Sequence, residues 1–413
     1  MQDKKYELVV VGGGAAGMMA AGRAAELGAK VLIVEKNKQL GVKLLITGKG
    51  RCNITNAEDN LKQLINFYGK KGKFLYAAFH NLSNFDVIDF FEKNGLQTKV
   101  ERGKRVFPFS DNAKDVVVAL KQYISSNGVD VMLNAPVVSV RSNENTVESI
   151  QLSSGETITA NTFLFTTGGK SYPQTGSTGD AQNWLKQIGH NIIPLKPALT
   201  PIVVKEKLVK DLAGLSLKNV DISIWNAKKI ANFFGEALFT HNGLSGPVIL
   251  NLSNLVKSQE KQTLRIDFKP ALDHQKLDLR IRKDFEEQAS KQFKNALNAL
   301  LPKKLIPIFI KLSEIPEDKK VAEISKKERK KLLNLFKEFT LTVSGIIGYE
   351  KAIVTTGGVD LKEINPKTMQ SKKFNNLYFA GELIDIDGPT GGYNLQVAWS
   401  TGYLAGESII KSY

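Results

Sequence analysis

A glycine turn set between two apolar runs constrains this chain more than any other feature. Residues 6–11 are apolar, residues 12–17 read Gly-Gly-Gly-Ala-Ala-Gly, residues 18–27 are rich in Ala, and residues 31–34 are apolar again. That order predicts strand, turn, helix and strand, a βαβ opening whose turn fits G-x-G-x-x-G. Gly12 makes the tight bend, Gly14 lets backbone N–H groups approach a diphosphate, and Gly17 lets helix and strand pack closely. The helix N-terminus, begun by Ala15 and Ala16, attracts the anion. Glu35 ends the second strand, 18 residues past Gly17. A carboxylate there accepts the 2′ and 3′ hydroxyls of an adenosine ribose and disfavours a 2′-phosphate. With its neighbour Lys36, it completes the expected adenosine site.

FAD and NAD share this turn, so the discriminator has to lie elsewhere. Near the carboxyl end, NNLYFAGELIDIDGPTGGYNLQVAWSTGYLAG reads as strand, Gly381-Glu382, a glycine-rich loop, then a helix from about Asn394. A second glycine loop and helix start, joined to the same sheet, suits a long dinucleotide that carries a ribityl chain and a flavin ring. The loop of Gly391, Gly392, Tyr393 and Asn394 would aim a helix N-terminus at the flavin edge where negative charge develops on reduction. A glycine-rich loop that only caps a helix is the plainer alternative.

Residues 162–165 and 376–380 are further short apolar runs, ending at Thr167-Gly168-Gly169 and at Gly381. They read as strands of the same buried parallel sheet. About two hundred residues separate them, so the dinucleotide domain is expected to be interrupted. Its pieces are assigned to 1–195 and 345–413. Residues 200–204, 220–225 and 263–268 alternate in polarity and predict a small antiparallel sheet or barrel over 196–271, whereas 272–344 turns helical and rich in Lys, Leu and Glu.

The 413 residues are 42% hydrophobic and 24% charged, which excludes a fibrous, disordered or membrane-spanning chain. The net charge is +16, from 57 Lys and Arg against 41 Asp and Glu. Residues 276–337 hold 17 basic and 9 acidic side chains, so this segment alone carries half of that excess. Such a concentration favours a polyanionic partner, with a merely solvated helix face as the alternative. Cys52 is the one cysteine, which excludes an internal disulfide, a paired-cysteine metal site and a dithiol relay to a flavin. No metal site is expected. The charged start MQDKK and the short apolar run after it make neither a signal peptide nor a spanning helix, so the expected setting is soluble and cytoplasmic.

Four segments resemble a known family: GVKLLITGKGRCNITN (41–56), TTGGKSYPQTGSTGD (166–180), GEALFTHNGLSGP (235–247) and GELIDIDGPTGGYNLQ (381–396). They look like the bacterial FAD-dependent oxidoreductases labelled aminoacetone oxidase-like or ribosomal dihydrouridine synthase-like, and they lie in order over nearly the whole chain. The resemblance implies a glutathione-reductase-like (Rossmann) FAD domain of α/β class, discontinuous, with an inserted antiparallel β-barrel and a small helical module. It also implies flavin chemistry, with NADH as transient donor in some members; the FAD is expected to be held non-covalently. It places Lys43, Gly48, Gly50, Arg51, Cys52 and Asn53 along the dinucleotide. Thr167, Gly168, Glu382, Asp385 and Leu395 join the expected cofactor contacts.

Three side chains are candidates for catalysis. The Cys52 thiol can protonate the carbon opposite the one that receives hydride, or can simply be packed. His241, in a glycine-rich turn of the barrel, can act as acid or anion donor, or be satisfied by backbone. Tyr393 can cover the ring or donate a proton. The basic loops 69–74 and 101–108 read either as anion sites or as solvated turns. No second G-x-G-x-x-G follows a strand, so a nicotinamide donor and the acceptor are expected to take turns at one face. The favoured reading is reduction of an activated C=C, with uridine in ribosomal RNA as substrate. A small-molecule enone reductase or amine oxidase is the first alternative, and a flavin-bearing RNA-binding factor without catalysis is the second.

Overall fold

A computed structural model describes residues 6–257 and 259–411; the amino-terminal MQDKK read above lies outside them. Contacts divide the chain into two units, Met1–Ala198 with Tyr349–Tyr413, and Leu199–Gly348.

The first unit is built on a five-stranded parallel sheet. Its order is Leu377–Phe379, Ala160–Phe165, Tyr6–Val11, Val31–Val34 and Asp130–Met132. The strands flanking the interruption therefore lie side by side, with Phe163 opposite Leu377 and Phe165 opposite Phe379. Buried on both faces, these strands are apolar runs without alternation. The helix Ala15–Glu26 buries Ala16, Met18, Met19, Ala20, Ala21 and Ala24, an all-round apolar pattern that requires cover on more than one side. The long helix Tyr393–Lys411 supplies it. A Cβ at Gly402 would lie 2.5 Å from the Ala16 carbonyl oxygen and one at Gly406 2.4 Å from that of Ala20, so glycine lets the two backbones touch. Trp399 on the same helix is fully buried and donates its indole N–H to the Ile54 carbonyl at 3.0 Å. An antiparallel pair, Ile192–Ala198 with Val354–Val359, carries the chain out of this unit and back, Ala198 opposite Val354.

The second unit is a closed six-stranded antiparallel barrel. Around it run Ile202–Val204, Gly243–Ser245, Lys229–Thr240, Ser216–Trp225, Thr263–Asp267 and Phe339–Ile346, which returns to the first. The helices His274–Glu286, Ile306–Ser313 and Lys326–Lys337 are inserted before that last strand and share one hydrophobic core with the barrel. Phe268, Phe309, Phe336 and Phe339 meet in it, with the rings of Phe309 and Phe336 5.0 Å apart. Among the described residues no helix is long and apolar enough to cross a membrane.

Candidate functional site

The site in the first unit begins at the glycine turn. Gly12 has φ +108, and a Cβ on it would meet the Thr166 carbonyl oxygen at 2.8 Å; one on Gly17 would meet the Gly12 carbonyl oxygen at 1.9 Å. At Gly14 a Cβ would meet nothing within 4 Å, and Gly14 begins the helix without a side-chain cap. Two glycines are thus needed for packing and the third faces free space at a helix N-terminus, where backbone N–H groups and the dipole favour an anion. Glu35 is buried. One of its oxygens accepts the Gly13 N–H at 2.7 Å; the other accepts the Asn37 backbone and amide N–H groups at 2.8 and 2.7 Å. The carboxylate therefore braces the turn and keeps acceptor capacity for hydroxyl groups.

Beside it lies a shallow cleft lined by Gly12, Glu35, Lys36, Val137, Thr167 and Trp184. Lys36 is held at its mouth by Asp180 at 2.8 Å. The Thr167 hydroxyl is buried with no partner among the described residues. An unsatisfied buried hydroxyl is costly, and here it lines the cleft where the adenosine half of a dinucleotide would sit. That orphan, the open space at Gly14 and the placement of Glu35 fit FAD. Gly168 sits one residue on, and its carbonyl accepts from Gln182 at 3.0 Å.

The loop after Glu35 and the carboxyl-terminal loop are tied together. The Lys43 ammonium lies 2.6 Å from both the Ser171 hydroxyl and Glu382. Glu382 also accepts from Ser171 at 2.9 Å and from the Thr355 N–H at 2.8 Å. Gly381 faces the first glycine motif: a Cβ on it would lie 2.8 Å from that of Ala16. Gly48 and Gly50 bend the loop that carries Arg51. Asn53, with its amide oriented to satisfy both ends, donates to the Thr55 and Val106 carbonyls and accepts the Gly392 N–H at 2.9 Å. A Cβ on Gly392 would meet the Thr55 backbone at 2.3 Å. Gly391 offers its carbonyl to Asn56 at 3.1 Å, and Asn394 closes the loop through Gly388, accepting and donating at 2.9 Å. Leu395 is half-buried beside them.

Arg51 and Asn53 were expected on the cofactor, yet their polar groups are engaged with protein. The Arg51 guanidinium pairs with Glu101 and Asp111 and lies 4.1 Å over the Phe107 ring. In the basic loop 101–108, Lys104 pairs with Glu58 and Asp59, and Arg105 donates to the Arg102 carbonyl. The loop 69–74 contributes Lys71, whose ammonium meets the buried Asp385 at 2.6 Å.

The candidate acids fall in different settings. Cys52 is fully enclosed, at φ +57, and burial pushes its thiol up to about 12. Tyr393 is 7% exposed; its ring lies 4.7 Å from that of Phe67, itself half exposed, and Tyr68 donates to the Tyr393 carbonyl at 2.8 Å. Burial, with Glu58 adding, pushes the Tyr393 phenol up to about 12. His241 belongs to the second unit, exposed in the turn between two barrel strands. All the other candidates lie in the first unit. Asp387 was not singled out by sequence; burial raises its carboxyl, opposed by the Thr356 hydroxyl that donates to it at 2.7 Å. Its only signal was its place between Glu382 and the glycine loop. Among the described residues no group of three or more His, Cys, Asp or Glu side chains is placed to hold a metal ion.

The fold is a parallel sheet bearing two glycine-opened helices with an inserted antiparallel barrel, and family membership and full-length relatives make the chain an FAD-dependent oxidoreductase. The chain belongs to the HI0933-like Rossmann family, whose profile, the HI0933-like protein Rossmann domain, matches residues 6–408. It is 32% identical over 98% of both chains to a ribosomal RNA dihydrouridine synthase of Haemophilus influenzae. It is 30% identical to a 3-dehydro-bile acid delta(4,6)-reductase of Clostridium scindens, over 97% of this chain and 98% of that one. Its fold is similar to that of 3-ketosteroid delta1-dehydrogenase from Sterolibacterium denitrificans, at 14% identity and TM-score 0.55, covering 99% of this chain and 100% of the other.

Proposed function

We propose that this protein is a reductase of a C=C bond conjugated to a carbonyl, with uridine in ribosomal RNA as favoured substrate and NADH as donor. The observation that carries the reading is that two full-length relatives, one named for dihydrouridine and one for a delta(4,6) bile acid, share saturation of such a bond in their names. FAD bound along the two glycine loops supplies hydride chemistry.

The chain's residues have the remaining tasks. The Ala15, Ala16 and Gly17 N–H groups take the diphosphate, and Glu35 takes the ribose hydroxyls. Lys43 with Glu382 fixes the loops that line the middle of the dinucleotide. Tyr393 is the favoured proton donor: its phenol keeps its proton at neutral pH, and Phe67 beside it offers a partly open aromatic surface for a planar base. Cys52, sealed in the core, suits packing better. A uridine in RNA has to leave its stack to reach such a site, at a cost of a few kcal/mol, roughly. An RNA substrate also implies work in the cytoplasm.

The test is to reduce the purified FAD protein anaerobically with NADH and offer uridine-containing ribosomal RNA, a small enone and oxygen in parallel. Fastest reoxidation by RNA, with dihydrouridine formed, is expected. Reoxidation by the enone alone would establish the small-molecule reading that the bile acid relative supports, and by oxygen alone would end both.

A further inference from the structure

We propose that the solvent face of the helix Lys326–Lys337 is the docking surface for the phosphate backbone of RNA. The inference rests on the RNA reading above and concerns a surface of the second unit, remote in sequence from every glycine motif. Residues 319–331 contain seven Lys or Arg and two Glu, the densest charge in the chain's most basic segment. The helix is pinned by its inner side: Leu332, Leu333 and Phe336 are buried in the barrel core, and Arg329 is tied to Asp278 at 2.8 Å. A Ser325–Glu328 capping box fixes its start, and Glu328 is further occupied by Lys319 at 2.8 Å. The first-turn carboxylate that could neutralise the face is therefore already engaged.

What remains outward is cationic. Lys326, Lys327 and Lys330 are exposed, and none forms an ion pair among the described residues; Lys331 is exposed and reaches the exposed Glu314 at 2.6 Å. Lys326 with Lys330, and Lys327 with Lys331, stand four residues apart, so their Cβ atoms are about 5–6 Å apart on one side of the helix. Two short rows of ammonium groups on a rigid helix can follow successive phosphates of one strand. Lysine is a point charge without base-reading geometry, so the contact is to backbone and the sequence is left to the flavin site. An acidic membrane fits less well. A helix that lies in a membrane needs its apolar side free, and here that side is the unit's core.

The experiment measures binding of the FAD-loaded protein to deproteinised ribosomal RNA by anisotropy, as a function of salt, for two triple variants. Lys326→Gln, Lys327→Gln and Lys330→Gln remove three charges from the helix; Lys218→Gln, Lys228→Gln and Lys229→Gln remove three exposed charges from the barrel. The helix variant is expected to bind at least about tenfold more weakly at 0.15 M salt, and its log–log salt slope to flatten by about 2. The barrel variant is expected to stay within about twofold of the parent, and arginines at 326, 327 and 330 to restore binding. Equal losses in both variants, or a helix-dependent affinity for phosphatidylserine vesicles without one for RNA, would overturn the proposal. RNA binding that depends on the helix without any uridine reduction would leave this surface standing and sink the substrate assignment.

Discussion

Gly14 and Gly17 stand three residues apart and do opposite work. Placing a methyl group at Gly17 drives it to 1.9 Å from a carbonyl oxygen, whereas at Gly14 it enters free space. Gly17→Ala should therefore lower the melting temperature of the apoprotein, by about 1–3 kcal/mol of stability or more. Gly14→Ala should leave that temperature unchanged and weaken FAD retention, read by flavin fluorescence. At Cys52 burial raises the thiol from 9.0 to about 12. The folded state then holds a proton that the unfolded chain releases, so this stabilisation is complete below pH 9 and disappears as pH rises from 9 to 12. Cys52→Ala should flatten the alkaline loss of stability, by up to roughly 4 kcal/mol at pH 12; an unchanged alkaline limb in urea titrations would contradict it. Tyr393→Phe should slow reoxidation by the acceptor about 100-fold and leave reduction by NADH intact, measured as separate half-reactions.

Among the elements, the two helices that meet at Gly402 and Gly406 couple the two ends of the chain. The first begins at the diphosphate turn, and the last begins at the second glycine loop. Any displacement between them moves both halves of the cofactor cradle. Gly402→Ala would press a methyl group to 2.5 Å from the Ala16 carbonyl oxygen. It should cost about 1–3 kcal/mol in thermal unfolding and weaken FAD binding although it touches no cofactor. The βαβ opening, the glycine loops and both strands of the interrupted sheet were legible in sequence, because buried parallel strands are unbroken apolar runs and special turns demand glycine. The roles of Arg51 and Asn53 were less legible. The family resemblance puts both along the dinucleotide, and their protein partners, Glu101, Asp111 and Gly392, are brought in from 50 to 339 residues away.

For the whole molecule, the insertion is bracketed by an antiparallel pair within the first unit, with Ala198 opposite Val354. A chain in which residues 199–348 are replaced by a short Gly-Ser linker should still fold and hold FAD, checked by its visible spectrum. Loss of the yellow colour would mean that the second unit supports the cofactor. The sequence by itself determined the class: periodicity and glycine positions encode a dinucleotide sheet, an inserted barrel and a basic helical stretch, since these are local consequences of burial and backbone geometry. Tertiary structure alone decided which charges are free. Arg51, Lys43, Lys71 and Lys104 meet carboxylates distant in sequence, while Lys326, Lys327 and Lys330 meet none among the described residues. Whether a charge is neutralised depends on what lies within a few ångströms of it, and composition carries no record of that distance.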